Sequence, residues 1–280
     1  MKRRLALLIA ALACAGAAHA SADVRLWHAL DPVTSAQLER HVADYNARQA
    51  EFRVRLAPLA KAERRSLVRL ALPLNTARPV LYYNRDAFRR AQLNPQAAPK
   101  TWYDMAPVLG RLAEAGVACG YTTAWPAWVM LENSGGELSR QLMVRWTSML
   151  ASWEKAGYFT YAGRTNEAEA RFIAGDCALL TASSDLAHDL GRQANFDLGV
   201  APLPYYEDAG AVSHALPASA PAVWAERQSV GVTNFFAFLA ARAAEARQRR
   251  EIMENELEAV WRGDKSALDA LEAYSRRNSR

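Results

Sequence analysis

The chain has 280 residues, 51% of them hydrophobic and 22% charged, with 34 basic and 29 acidic side chains. That balance describes a globular protein rather than a disordered one, and the length allows one large domain or two modest ones. Setting aside Lys2, Arg3 and Arg4 of a leader leaves 31 basic groups against 29 acidic ones, a net charge of +2 that excludes the bulk signature of a nucleic-acid binder.

Residues 1–20 read as a secretory signal peptide. Lys2, Arg3 and Arg4 form its charged start, and Leu5 to Ala13 is an apolar run too short to span a bilayer. Ala18-His19-Ala20 supplies a small-x-small cleavage site; Cys14 raises a lipoprotein alternative, but Ala11-Leu12-Ala13 is a poor lipobox. No later apolar run is long enough to cross a membrane, so the expected product is soluble and periplasmic.

Val24-Arg25-Leu26-Trp27 reads as a strand, and Asp31-Pro32 opens a helix with Leu38, Val42 and Tyr45 on one face. Phe52, Val54 and Leu56 alternate with Arg53 and Arg55 as in a half-buried strand. This β-α-β start predicts an α/β fold. Ala60 to Leu72 reads as a basic helix. Val80 to Tyr83 reads as a short buried strand that stops at Asn84 and turns at Asp86 into a helix. Thr101 can cap another helix running through Leu109 and Leu112 to Gly116. Leu142, Trp146, Met149, Leu150 and Trp153 form the most regular helical stripe, a core face. Cys177 to Thr181 reads as a strand with Ser183-Ser184-Asp185 at a helix start, and Leu198 to Ala201 as a strand leaving through Pro202 and Pro204. Residues 207–221 are loop-like. From Asn234 onward the chain is nearly all helix: Phe235, Phe238 and Leu239 share one face, and Met253, Leu257, Val260 and Trp261 form a second amphipathic segment broken at Gly263. Ser266 caps a last helix.

Two cysteines remain beyond the leader, Cys119 and Cys177. An even pair in an oxidising compartment points to a disulfide rather than a redox or metal site, with two separately buried thiols as the alternative. A bridge over 58 residues contributes about 3–4 kcal/mol when unstrained. Gly-x-Ser-x-Gly, His-Glu-x-x-His, a phosphate-cradling glycine loop and a His/Cys cluster are all absent from the sequence; His28, His41, His188 and His214 are scattered. Neither catalysis, a cofactor nor a metal site is expected.

Several stretches resemble the periplasmic glycerol-3-phosphate-binding proteins of ABC importers, within family 1 of the extracytoplasmic solute-binding proteins. They include Leu26-Trp27-His28, Pro79 to Phe88, Pro99-Lys100-Thr101-Trp102 and Trp125-x-x-Trp128-x-x-x-Glu132-Asn133. Gly157 to Arg164, Gly175-Asp176-Cys177-Ala178 with Thr181-Ala182-Ser183-Ser184, and Glu256 to Trp261 follow in the family's order. The resemblance implies a type II, two-lobe periplasmic-binding-protein fold with hinge strands. Lobe one would hold residues 21–80 and 202–245, lobe two residues 81–201 and 246–280. It implies a monomer that delivers a small phosphorylated polyol, sn-glycerol-3-phosphate or a glycerophosphodiester, to the importer's membrane subunits, with no nucleic-acid partner. Trp125 and Trp128 would offer flat apolar walls on one face, and Ser183 would hold phosphate.

The chain departs from the family pattern in ways that imply a reduced lobe one. Blocks are missing between about Ser66 and Pro73 and between about Leu239 and Glu251, taking an acidic, a tyrosine and an arginine ligand position with them. Alanines 62, 77 and 220 stand at three further ligand positions, and Asp185 would repel an anion. Arg78 is the candidate substitute cation. Two alternatives stay open: an exported remnant that binds no ligand or serves only protein contacts, and a binding protein for a neutral sugar or polyol.

Overall fold

The computed structural model describes residues 21–60, 63–74, 77–133, 140–209 and 222–278. The expected signal peptide and the positions of Ala62 and Ala220 lie outside these residues.

Strand β1 (Ala22–His28) leads to helix α1 (Pro32–Arg48) and strand β2 (Phe52–Pro58). Asp31 starts α1 by accepting from the backbone N–H groups of Val33 and Thr34, and Pro32 occupies a first-turn position that needs no N–H. The helix expected over 60–72 does not form: a single 3-10 turn, Glu63–Arg65, is followed by strand β3 (Val68–Ala71). Strand β4 (Pro79–Asn84) is buried at every position and passes into α2 (Arg85–Arg90). Thr101 and Asp104 form a reciprocal capping box at the start of α3 (Trp102–Glu114). Strand β5 (Cys119–Thr123), α4 (Pro126–Asn133), α5 (Arg140–Lys155), α6 (Glu167–Ile173), β6 (Cys177–Ser183), α7 (Ala187–Gln193) and β7 (Leu198–Pro202) follow.

Strand β8 (Ala222–Ala225) precedes α8 (Val230–Trp261), and α9 (Ala267–Asn278) closes the chain. The two amphipathic segments read after Asn234 are one unbroken helix. Ser229 caps α8, and the run of alanine, arginine and glutamate through its middle has high helix propensity and contains neither glycine nor proline. Its 32 residues span about 48 Å. Gly231 lets the helix approach β1: a Cβ there would lie 2.5 Å from a Val24 methyl.

The strands form two sheets. In the first the order is β2-β1-β8-β3, with β1 and β2 parallel and β8 antiparallel to both its neighbours. In the second the order is β5-β6-β4-β7, with β5 and β6 parallel and β4 antiparallel to both its neighbours. One face of the first sheet packs Val24, Leu26, Val54 and Val223 against α1 and the start of α8, through Leu38, Val42, Phe235 and Leu239. The second sheet is covered on both faces. Leu81, Tyr83, Tyr121 and Leu179 enter a core with α3, α5 and the far end of α8, while Val80, Tyr82, Leu180 and Ala182 meet Phe172 and Leu190 on the other side. Thus α8 is anchored in the first core by Phe235 and Leu239 and in the second by Met253 and Leu257, with no buried side chain between Leu239 and Met253.

Candidate functional site

The register of the second sheet gathers three of the four sequence-predicted binding residues at one end. Thr123 pairs with Thr181 across β5 and β6, and Ser183 pairs with Pro79 across β6 and β4. Trp125, Ser183 and Arg78 therefore emerge side by side, at the carboxyl ends of the two parallel strands and the start of β4. Adjacent strands lie about 4.8 Å apart. In α/β proteins this end of a sheet, where loops diverge, is where ligands are received.

Trp125 is 42% exposed and adopts a left-handed backbone conformation, φ 50°. Such a conformation costs about 1–3 kcal/mol for a residue with a side chain. The turn is held by the Trp125 N–H donating to the Thr165 carbonyl at 2.8 Å and by Ala124 N–H donating to the Thr181 carbonyl at 2.9 Å. Beneath it the Thr181 hydroxyl donates to Thr123 Oγ1 at 2.7 Å and lies 2.8 Å from the Tyr121 hydroxyl. Burial raises the Tyr121 phenol above its usual pKa, so this network stays neutral.

Trp128 lies elsewhere. In the first turn of α4, it is 5% exposed and packed into the second sheet's core, and its indole donates to the carboxylate of Glu132. The two indoles do not form a common wall, because the sharp turn at Trp125 places that ring outside the helix while α4 rolls Trp128 inward. Burial raises the Glu132 carboxyl, opposed by Arg250, the Trp128 indole and Arg78.

Ser183 ends β6 and caps a 3-10 turn, Ser184–Leu186, not an α-helix. Its hydroxyl accepts from the Asp185 N–H at 3.2 Å, and its carbonyl accepts from the Tyr82 hydroxyl at 2.8 Å. Arg78 is buried and already engaged. Its guanidinium donates to Asp31 Oδ1 at 2.9 Å and to the Thr34 hydroxyl at 3.0 Å, while its backbone exchanges hydrogen bonds with Ser184. The residue read as a candidate substitute cation is thereby a bridge from the second sheet to the first turn of α1. Burial pushes the Asp31 carboxyl up, but hydrogen bonds from Thr34 and Arg78 outweigh it and hold the carboxyl at about 2.

Glu254, 9% exposed on α8, reaches the same region. One oxygen accepts from the Ala127 N–H at 2.9 Å, satisfying a free donor in the first turn of α4; the other has no partner. Burial pushes its carboxyl up to about 8, against the Ala127 N–H, Arg164 and Arg250. Asp31, Thr34, Glu132 and Glu254 were not singled out from the sequence as site residues. The available signals were Asp31 at a helix start, Glu132 in the Trp-x-x-Trp-x-x-x-Glu-Asn stretch, and an acidic residue at position 254 beside Met253 on an amphipathic helix.

Cys119 and Cys177 are register partners at the opposite ends of β5 and β6, and they form a disulfide with a Cα separation of 4.4 Å. The bridge staples the far edge of the sheet and takes no part in the site. Cavities of about 540 and 500 Å³ lie at the first sheet, lined by α1 with β2 and by β1 with the start of α8; Trp125, Ser183 and Arg78 line neither.

The family model for bacterial extracellular solute-binding proteins matches residues 11–246. The chain belongs to that family. Among curated solute-binding relatives, the sn-glycerol-3-phosphate-binding periplasmic protein UgpB of Yersinia enterocolitica is 39% identical over 160 residues, 50% of this chain and 36% of that protein. The protein of the same name from Escherichia coli K12 is 34% identical over 196 residues, 61% of this chain and 45% of that one. The chain thus spans less than half the length of these curated relatives. The structure is similar to that of Mycobacterium tuberculosis UgpB in complex with glycerophosphocholine (TM-score 0.51, 16% identity, 92% of this chain and 98% of that one). It is also similar to that of maltose-bound T. maritima MalE3 (TM-score 0.53, 11% identity, 92% and 99%). These likenesses show the α/β binding-protein fold. Among the described residues no helix is long and apolar enough to cross a membrane.

Proposed function

We propose that the chain is a periplasmic solute-binding component of an ABC importer, taking sn-glycerol-3-phosphate or a glycerophosphodiester at a weakened site. The observation that supports it most is the convergence of Trp125, Ser183 and Arg78 at one end of the second sheet. On this reading residues 21–80 and 202–245 form lobe one and residues 81–201 and 246–280 form lobe two. A ligand between them meets the exposed Trp125 ring through its C–H edges, and the Ser183 hydroxyl proton is available to an anionic oxygen. Trp128 supports the site from inside through Glu132. The ligand class rests on the curated relatives, which carry glycerol-3-phosphate in their names.

The engagement of Arg78 favours a second reading, an exported remnant without ligand. A phosphate partner must leave Asp31 and Thr34 to meet a ligand, and a hydrogen bond to a charged group is worth about 1.5–3 kcal/mol. A micromolar affinity is only about 8 kcal/mol in total.

Titration with glycerol-3-phosphate, glycerophosphocholine and maltose, followed by tryptophan emission and melting temperature, separates these readings. A saturable change with either phosphate ester, reduced at least five-fold in Ser183→Ala, supports the proposal. A response to maltose alone transfers the site to neutral sugars. Silence from folded protein with all three establishes the remnant.

A further inference from the structure

One face of the first sheet packs into a hydrophobic core. Val24, Leu26, Val54 and Val223 point into the core built by α1 and α8. By alternation the opposite face carries Asp23, Arg25 and Trp27 on β1 and Arg53 and Arg55 on β2. Register sets Asp23 beside Arg53, Arg25 beside Arg55, Trp27 beside Trp224, and Trp224 beside Arg69 of β3. Arg64 lies over the Trp224 ring at 5.0 Å and Arg25 over Trp27 at 5.8 Å. All five arginines are exposed, and neither tryptophan belongs to the core cluster of this half. Asp23 is the one carboxylate on the strands of this face, paired with Arg55 at 3.2 Å.

We propose that this face is a docking surface for the phosphates of an anionic phospholipid bilayer. The charge is local, set against a net charge of only +2 once the leader's basic trio is set aside, so it does not follow from bulk composition. A second copy of the chain cannot cover it with the same face, because arginine would meet arginine. Apolar exposure is small, Trp27 being 8% exposed with Arg25 over its ring, so an amphipathic partner helix would find little to bury. A twisted sheet face presents its guanidinium groups in one broad layer rather than along one line. That matches a plane of headgroup phosphates, which guanidinium groups bind in bidentate fashion.

The test is co-sedimentation of the full chain with vesicles of phosphatidylcholine alone or with 40% phosphatidylglycerol, comparing wild type with R25Q, R53Q, R69Q and their combination. Lys2, Arg3 and Arg4 are present in every variant, so the difference reads the sheet face. Binding should require phosphatidylglycerol, weaken about five-fold per arginine and about a hundred-fold in the triple variant, and vanish in 0.5 M salt. R140Q and R192Q, exposed arginines outside this sheet, should leave it unchanged. Equal binding to both vesicles, or undiminished binding by the folded triple variant, overturns the proposal. So does single-stranded DNA binding through these arginines with no preference for phosphatidylglycerol. Should the triple variant not fold, wild-type binding that persists in 0.5 M salt overturns it equally.

Discussion

Every residue of β4 is buried, Val80 and Tyr82 entering one core and Leu81 and Tyr83 the other; along β3 only Leu70 is even partly covered, and Val68 is 46% exposed. The sheet edges differ in the same sense. The outer edge of β5 is closed by main chain, with Tyr121 and residues 158 and 160 exchanging hydrogen bonds near 2.9 Å. The outer edge of β2 is closed by side chains: the Asn46 amide bonds both the N–H and the carbonyl of Val54 at 2.9 Å, and Gln49 does the same for Phe52 at 2.8 and 2.6 Å. These amides stand where a further strand would pair, and they blunt an edge that would otherwise recruit another chain. The first sheet survives with one helical layer by substituting local polar contacts for a second core. The second relies on packing, and the candidate site sits at its end.

If that division holds, the largest contrast comes from paired truncations. Trp102→Ala, in the two-faced half, should cost about 3–5 kcal/mol. Leu70→Ala on β3 should cost under about 1 kcal/mol, both measured by urea unfolding. Equal losses would break the comparison. Glu254→Gln should abolish a pH dependence. Because burial raises its folded-state carboxyl to about 8 from an ordinary 4.5, the folded protein holds that proton more tightly than the unfolded chain does. The stabilising contribution is complete below about 4.5 and is lost as pH rises through 8. The variant should therefore be more stable than wild type at pH 9 by roughly 2–4 kcal/mol and near neutral at pH 4.5. Asp31→Asn probes the bridge between the halves. The carboxyl is held at about 2, so its contribution is present above about 3.8 and disappears as pH falls through 2. At pH 7 the loss should be about 1.5–3 kcal/mol, and it should vanish in acid. The smallest effect is expected from Asn46→Ala, a loss of about 1 kcal/mol in unfolding free energy measured in urea, with more light scattering as the β2 edge opens.

Much of this division was legible locally. The continuous apolar run Val80 to Tyr83 announced a strand buried on both sides, and the alternation of Phe52, Val54 and Leu56 with arginines announced one buried on a single side. The Asp31-Pro32 and Thr101 caps marked their helices correctly. What escaped was non-local. Residues 68–71 have a composition that suits a helix, and they form a strand because β8, more than 150 residues later, offers them a partner: Val68 pairs with Ala225. Arg78 looked unattached because Asp31 and Thr34 are more than 40 residues away. Trp125 and Trp128 share a three-residue spacing, but a left-handed turn between strand and helix separates their environments, and spacing does not encode φ. Ser183 was placed correctly at a strand end, while the 3-10 turn after it was not foreseen.

The length of α8 carries a geometric consequence. Phe235 and Met253 are eighteen residues apart, as are Leu239 and Leu257, and eighteen residues make about five whole turns. Anchors that belong to different cores therefore project from one side of the same cylinder. The intervening stretch buries nothing, yet it behaves as a toothed shaft rather than a spacer: removing one residue would turn one set of anchors by about 100° relative to the other. Apart from Arg242, which pairs with Asp44, and Arg250, which faces Glu132 and Glu254, the residue count of that stretch matters more than the identity of its side chains.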